Sequence, residues 1–506
     1  MLGLLFCAAL TVDSFAADSL ELTHQPWFEA RTTHFRAYSC GATQAVAKLA
    51  ARLEQFHLAY SSLAGTQAVA SPPIIVLALP ERQALQQFVP LYNGHPTSLS
   101  GFFHRASDEN LIVLSLANES SGLDTIFHEF AHLLLRHNGR IWPTWLTEGM
   151  ADVYATFEVI GPQSVRIGQR RDLYLNLLSH EPWLPLRELF AVTQDSPQYN
   201  EREHQGIFYA ESWLLTHYLM TGQNSGLRSK LAVFTTLLRR GQETEQAFTN
   251  AFGKPLSVAE KELREYSHEG RFEPLTMMVR ANLLSAQPMA TRGLVRVEVC
   301  YRLGDALLRV GRLEEAESYF LQAKKFAPAS PLPYEGLGLL AAERDDHEQA
   351  LSSLNEAIDR GSTSFLAYYI RAREKFRLSA KAPNTYSRLD SGEANDLRND
   401  LKKSLALMPD FAPAHHLLGF FELVQGNDPS AAEQQLHRAV QLEPENESYG
   451  LTLAQAQIFR KELTAARGTL QELCLPNVAT PVRKHAQEML ERLDAEHDGA
   501  SDARNP

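Results

Sequence analysis

The chain has 506 residues, 44% hydrophobic and 21% charged. That length allows two to four domains, and the composition excludes wholesale disorder, a collagen-like chain and a multispanning membrane protein. A formal net charge of −12 argues against nucleic acid as a partner, because phosphate binding wants a basic face, and four cysteines are too few for a disulfide framework.

In chain order, Leu2 to Leu10 form a short apolar run, followed by Ser14-Phe15-Ala16 with small residues where a signal peptidase cuts. No Lys or Arg precedes the run and Asp13 lies near its end, so the signal is imperfect. Residues 1–16 are expected to be an export signal. The protein would then be periplasmic or secreted, with no transmembrane segment after signal removal. Cys40, Cys300 and Cys474 would remain, enough for one disulfide at most and read as three buried thiols. His34 to Ser39 and Pro73 to Leu79 are strand-like, with a helical stretch from Thr43 to Leu63 between them. Gly101 to His104 and Leu111 to Leu116 flank the turn-rich Ala106-Ser107-Asp108-Glu109-Asn110 and suggest a hairpin. Beyond it the sequence is mostly helical to about Gly270.

His128-Glu129-Phe130-Ala131-His132 carries the chemistry. On a helix, positions i and i+4 lie about 40° apart, so both imidazoles project from one face and can share one ion. Glu129 stands beside them as a general base, since zinc lowers the pKa of a bound water to about 7 and a carboxylate can take its proton. The uncharged flanks Thr125-Ile126-Phe127 and Leu133-Leu134-Leu135 bury the helix and keep the site dry. Two histidines and a water leave one tetrahedral position for a third protein ligand. Downstream, Pro143 favours a helix start, and Glu148 and Asp152 follow at i, i+4 spacing. Glu148 can bind the ion while Asp152 accepts the free ring N–H of a ligand histidine. Gly149 between them permits a close helix approach. Arg170-Arg171 reads as a solvated basic pair.

The motif HEFAH followed by Pro143-Thr144-Trp145-Leu146-Thr147-Glu148-Gly149-Met150-Ala151-Asp152 resembles the gluzincin metallopeptidases, thermolysin-like in fold. It is most similar to peptidase-MA-like secreted proteins that often carry tetratricopeptide repeats. The resemblance implies one Zn2+ held by His128, His132 and Glu148, with Glu129 as general base and Asp152 as the partner of His128. It also implies an edge strand that pairs with substrate backbone, for which Gly101, Phe102 and Phe103 are the candidate. A Tyr or His that stabilises the oxyanion is implied as well. Tyr209 is the candidate, with a core aromatic beside Trp213 as its alternative reading. The Gly-x-Met-Glu-Asn segment of related aminopeptidases is missing, which favours an endopeptidase.

The second half repeats itself. Tyr301-Arg302-Leu303-Gly304 is followed by Gly311, Ala316, Phe320, Ala323 and Pro328. About 34 residues on, Leu337-Gly338 leads into Ala350, Leu354 and Ala357 at matching places. Leu418-Gly419 with Ala431, Leu436, Ala439 and Pro444 is another copy, and Leu453-Ala454 with Ala466 and Leu470 a weaker one. Leu397, Leu401, Ser404 and Pro409 read as the second helix of a further unit, interrupted around Pro383 to Gly392. The pattern resembles the tetratricopeptide repeat, whose stacks form concave protein-binding surfaces.

The expected architecture is an α+β zincin-like metallopeptidase domain followed by an all-α tetratricopeptide-repeat solenoid. Residues 17–270 form the first, with its α+β lobe to about 140 and a helical lobe after. Residues 271–296 are a linker, 297–478 hold about five repeats with an insertion near 383–392, and 479–506 are a capping helix and tail. The expected function is zinc-dependent peptide-bond hydrolysis on a peptide or protein substrate, with the repeats binding substrate or a protein partner. The alternative is a non-catalytic interaction scaffold built on a peptidase-like domain.

Overall fold

The computed structural model describes residues 21–502, apart from 42, 65–72, 93–94, 97–100, 107, 137–141, 194–195, 201, 222–225, 280–288, 383–384 and 476–477. The segment expected as an export signal lies outside the described residues. Two compact units emerge, one drawn from Met1–Ala51, Val69–Glu119 and Pro288–Pro506, the other from Arg52–Ala68 and Ser120–Gln287.

The first unit contains a six-stranded sheet in the order Thr291–Gly293, Trp27–Arg31, Phe35–Cys40, Ile74–Leu79, Leu111–Ser115, Gly101–His104. The runs IIVLAL and LIVLS are apolar except for Ser115 and buried at every position, as central strands covered on both faces require. Ile74–Leu79 pairs in parallel with both neighbours, and Gly101–His104 closes an antiparallel hairpin on Leu111–Ser115 at the sheet edge. Gly101, Phe102 and Phe103 therefore do lie on an edge strand. Trp27, Tyr38, Leu77, Phe88 and Val113 share one core with Val299, Leu303, Leu307 and Phe320. The sheet and the first helical hairpin of the repeats are thus a single folding mass.

Five helical hairpins follow: Arg296–Arg309 with Leu313–Phe326, Leu332–Glu343 with His347–Asp359, Phe365–Leu378 with Ser391–Leu407, Ala412–Gln425 with Pro429–Leu442, and Glu447–Phe459 with Leu463–Leu473. Thr480–Asp502 is the last helix. The recurring glycines explain the close pairing. A Cβ on Gly304, Gly338 or Gly419 would run into Phe320, Leu354 or Leu436 of the partner helix. The interruption in the third hairpin is a small ladder of Ala380–Ala382 on Thr385–Tyr386, and Tyr386 stacks on Phe376 at 4.3 Å.

Arg309 ties the sheet's hairpin turn to the repeats. Its guanidinium donates to Asp108 Oδ1 at 2.9 Å, to the Glu109 carbonyl at 2.9 Å and to Glu109 Oε2 at 3.2 Å. Arg105 on the same turn reaches Glu445 at 2.9 Å. Among the described residues, Cys40, Cys300 and Cys474 are free thiols, Cys40 and Cys300 buried and Cys474 half-buried.

One expectation needs correction. The sequence suggests a linker at residues 271–296, but Leu275–Met278 pairs with Ser164–Ile167, and Thr291–Gly293 forms an outer strand of the large sheet on Trp27–Arg31. The cause is long-range: Arg292 donates to Glu29 Oε2 at 2.6 Å, while Arg31 holds the other carboxylate oxygen at 2.7 Å. Apart from Arg52–Ala68, the α+β portion up to Glu119 also groups with the repeats rather than with the helical residues after it.

The second unit is mainly helical, with a three-stranded sheet in the order Leu275–Met278, Ser164–Ile167, Glu158–Gly161. Aromatic side chains make its interior. Phe56 stacks on Phe127 at 4.6 Å and meets Phe130 and Phe157, while Trp145 stacks on Phe190 at 5.1 Å. Among the described residues, no helix is long and apolar enough to cross a membrane.

Candidate metal centre

The helix Glu119–Arg136 turns Ile126, Phe127, Phe130 and Ala131 into the core. His128, Glu129 and His132 are left half-buried. The expected i, i+4 geometry is realised, with the two imidazole Nε2 atoms 3.1 Å apart. The second helix, Thr144–Ala155, starts directly after Pro143 and buries Glu148, Gly149 and Asp152. It lies very close to the helix Arg202–Thr221, because a Cβ on Gly149 would overlap Thr216 Oγ1 and the Ser212 carbonyl. That close approach is what the glycine provides, and it sets the depth of Glu148.

Glu148 Oε2 stands 3.4 Å from His128 Nε2 and 3.3 Å from His132 Nε2. One donor atom from each of His128, His132 and Glu148 thus lies within 4.8 Å of the others. Bonds of 2.0–2.1 Å in a tetrahedron put donor atoms about 3.3 Å apart. The three separations, 3.1, 3.3 and 3.4 Å, match that edge length. The donor set, two imidazoles and a carboxylate, is one that suits zinc with an open fourth position.

The electrostatics favour a cation at the same point. Burial opposes charge on His128, yet hydrogen bonds and charge from Asp152 and Glu148 outweigh it and carry the imidazole up to about 10. Burial likewise opposes charge on Glu148, but His128 and His132 hold its carboxyl down at about 2. The same carboxylates would attract a metal ion, which binds by displacing the proton.

Asp152 lies behind His128, with Oδ1 3.2 Å from Nδ1. This contact fixes the ring so that Nε2 points at Glu148 and His132. Asp152 is itself held twice: the Tyr174 hydroxyl donates to Oδ2 at 2.9 Å, and Arg171 Nη1 lies 3.1 Å from Oδ1. Arg171 also covers the Tyr174 ring at 4.7 Å. Arg171, read from sequence as a solvated charge, is therefore part of the support of the site.

Tyr209 meets the centre through an intermediary. The hydroxyl on Glu148 belongs to Tyr199, which donates to Oε1 at 3.2 Å. Tyr209 hydrogen-bonds Tyr199 and packs its ring 5.9 Å away. Burial, followed by the Glu148 charge, pushes the Tyr199 phenol above its ordinary value. Tyr199 and Tyr174 had no sequence signal, since both lie on short helices without a motif.

The tetratricopeptide-repeat family matches residues 297–330, the first helical hairpin. This segment is a tetratricopeptide repeat. Solved structures similar to the chain include YrrB, titled a TPR protein with an unusual peptide-binding site. It is 13% identical over 37% of this chain and 90% of its own, with a TM-score of 0.31. TTC0263, a thermophilic TPR protein of Thermus thermophilus, is 21% identical over 38% and 98%, with a TM-score of 0.30. MamA is 18% identical over 35% and 88%, with a TM-score of 0.29. Scores this low carry no argument about function. No curated protein matches the chain. Tetratricopeptide repeats bind proteins, and the family match supports the repeat part of the expected architecture.

Proposed function

We propose that the helical unit is a zinc-dependent peptidase centre and that the tetratricopeptide repeats bind its protein substrate or a partner. The observation that carries the catalytic half is the convergence of His128 Nε2, His132 Nε2 and Glu148 Oε2 at tetrahedral spacing. Bound there, zinc would act as a Lewis acid and lower the pKa of a water to about 7. Glu129 is half-buried beside both imidazoles on the same helix, and its charge reaches Tyr199. Its carboxylate takes the proton of the attacking water and returns it to the departing amine. Asp152 keeps His128 in the Nδ1–H tautomer, leaving Nε2 as a donor atom. Cleavage within a chain is favoured over removal of a terminal residue, because no Gly-x-Met-Glu-Asn segment is present to hold a free amino terminus. Export, from the apolar run at Leu2 to Leu10, belongs to this reading.

The second reading is a non-catalytic interaction scaffold. The repeat at 297–330 supports it, and of the two readings it is the one that the comparisons back; the hydrolytic one rests on geometry. Metal analysis of the purified chain and cleavage of a peptide library, beside Glu129→Gln, separate them. The peptidase reading expects bound zinc, turnover by the wild type, and a variant that keeps zinc but loses at least ~100-fold in rate. Zinc without cleavage of any peptide would favour the scaffold, and a chain without zinc would end the catalytic reading.

A further inference from the structure

We infer that Tyr199 is a positioning residue, holding the outer oxygen of Glu148 so that the carboxylate offers a single oxygen to the metal, and that Tyr209 steadies it. This inference rests on the metal centre proposed above. The two oxygens of Glu148 have different neighbours. Oε2 faces both imidazoles at 3.3 and 3.4 Å, and Oε1 accepts from the Tyr199 hydroxyl at 3.2 Å. A carboxylate with a free second oxygen can swing to bind through both, which would fill the position that substrate or water needs. A hydrogen bond to Oε1 opposes that swing and orients the ligand before the ion arrives.

Tyr199 is suited to the task by its placement. It lies on the short helix Pro197–Asn200, and its ring is braced by Phe208 at 5.8 Å and Tyr209 at 5.9 Å. With Tyr199 donating to Glu148, the Tyr209 hydroxyl donates to the Tyr199 oxygen. Donors in series polarise one another and strengthen the last bond. A matching arrangement backs the histidine side, where Tyr174 donates to Asp152 and Asp152 meets His128. Each helix of the centre thus has one ligand oriented by a carboxylate or hydroxyl with a tyrosine behind it.

The test is a zinc titration of the full, metal-stripped chain against a chromophoric chelator, for wild type, Tyr199→Phe, Tyr209→Phe and Glu148→Gln. The visible spectrum of the Co(II)-substituted proteins is a second readout. Removing an outer partner of a metal ligand costs about 10–100-fold in affinity. Tyr199→Phe should therefore bind zinc about 10-fold or more weakly, and Tyr209→Phe should lose less. The Co(II) bands of Tyr199→Phe should weaken as the carboxylate turns bidentate and coordination rises above four. A merely structural tyrosine would lower the melting temperature and leave both readouts unchanged. Zinc affinity of Tyr199→Phe within twofold of wild type, with an unchanged Co(II) spectrum, overturns the inference and leaves the metal centre standing. Wild type that binds zinc no better than Glu148→Gln overturns the centre and the inference together.

Discussion

Gly149→Ala tests how the centre is built. A Cβ at this position meets Thr216 Oγ1 and the backbone carbonyl of Ser212, both on the helix Arg202–Thr221. A side chain could rotate away, but a helix carbonyl moves only if the helix moves. Overpacking of this kind costs about 1–3 kcal/mol, and the backbone contact places it near the upper end. Alanine returns about 1 kcal/mol of helix propensity relative to glycine. The net expectation is a loss of about 2 kcal/mol, or about 4–8 °C in the melting temperature of a unit this size. The separation of the helices also carries Glu148 and Asp152 away from His128, so zinc affinity should fall alongside stability. Differential scanning calorimetry of the metal-stripped chain gives the first quantity and chelator competition the second. Adding Thr216→Ala should restore only part of the loss, because the Ser212 carbonyl remains. A Gly149→Ala protein as stable as wild type would refute the close-packing argument.

Three further outcomes follow from the same structure. Asp152→Asn should weaken zinc binding about 10–100-fold in chelator competition, because the amide cannot orient His128 as a carboxylate does; unchanged affinity would remove Asp152 from the site. Arg309→Met should cost about 3–5 kcal/mol in urea unfolding, since it takes from Asp108 and Glu109 the cation they share and leaves the buried Asp305 only Arg302, 3.9 Å away. A loss below about 1 kcal/mol would mean that the hairpin turn is not anchored there. Glu211 is pushed by burial from 4.5 to about 8, against the pull of the Leu184 N–H that it accepts. Between those values the folded chain holds a proton that the unfolded chain has lost, so this group's contribution to stability falls as pH rises from 4.5 to 8. Glu211→Gln lacks that titration, so its stability relative to wild type should increase from about pH 5 to about pH 8; a difference independent of pH would contradict the assignment.

The sequence was readable where chemistry and packing are local. HEFAH needs little more than one turn of helix to align two imidazoles, and Gly149 announces a close helix contact by its poor helix propensity in a helical run. The repeats show for a similar reason, since Gly304, Gly338 and Gly419 recur opposite the large residues they accommodate. Long-range pairing was hidden. Thr291-Arg292-Gly293 has no strand alternation and is drawn into the sheet by Glu29, 263 residues before Arg292. Tyr199 lies 51 residues from Glu148 on a four-residue helix, so neither spacing nor periodicity connects them. Arg171 has the composition of a surface charge, and only the buried carboxylate of Asp152 gives it a partner. Motifs thus expose the ligands, while the groups that hold the ligands come from tertiary structure.

The central claim is that His128, His132 and Glu148 form a zinc site. Its most direct test is the metal stoichiometry of the full chain after dialysis against zinc, measured for wild type and His132→Ala. The account predicts one zinc per wild-type chain and a loss of that zinc in the variant. Equal zinc content in the two proteins, or none in either, would contradict it.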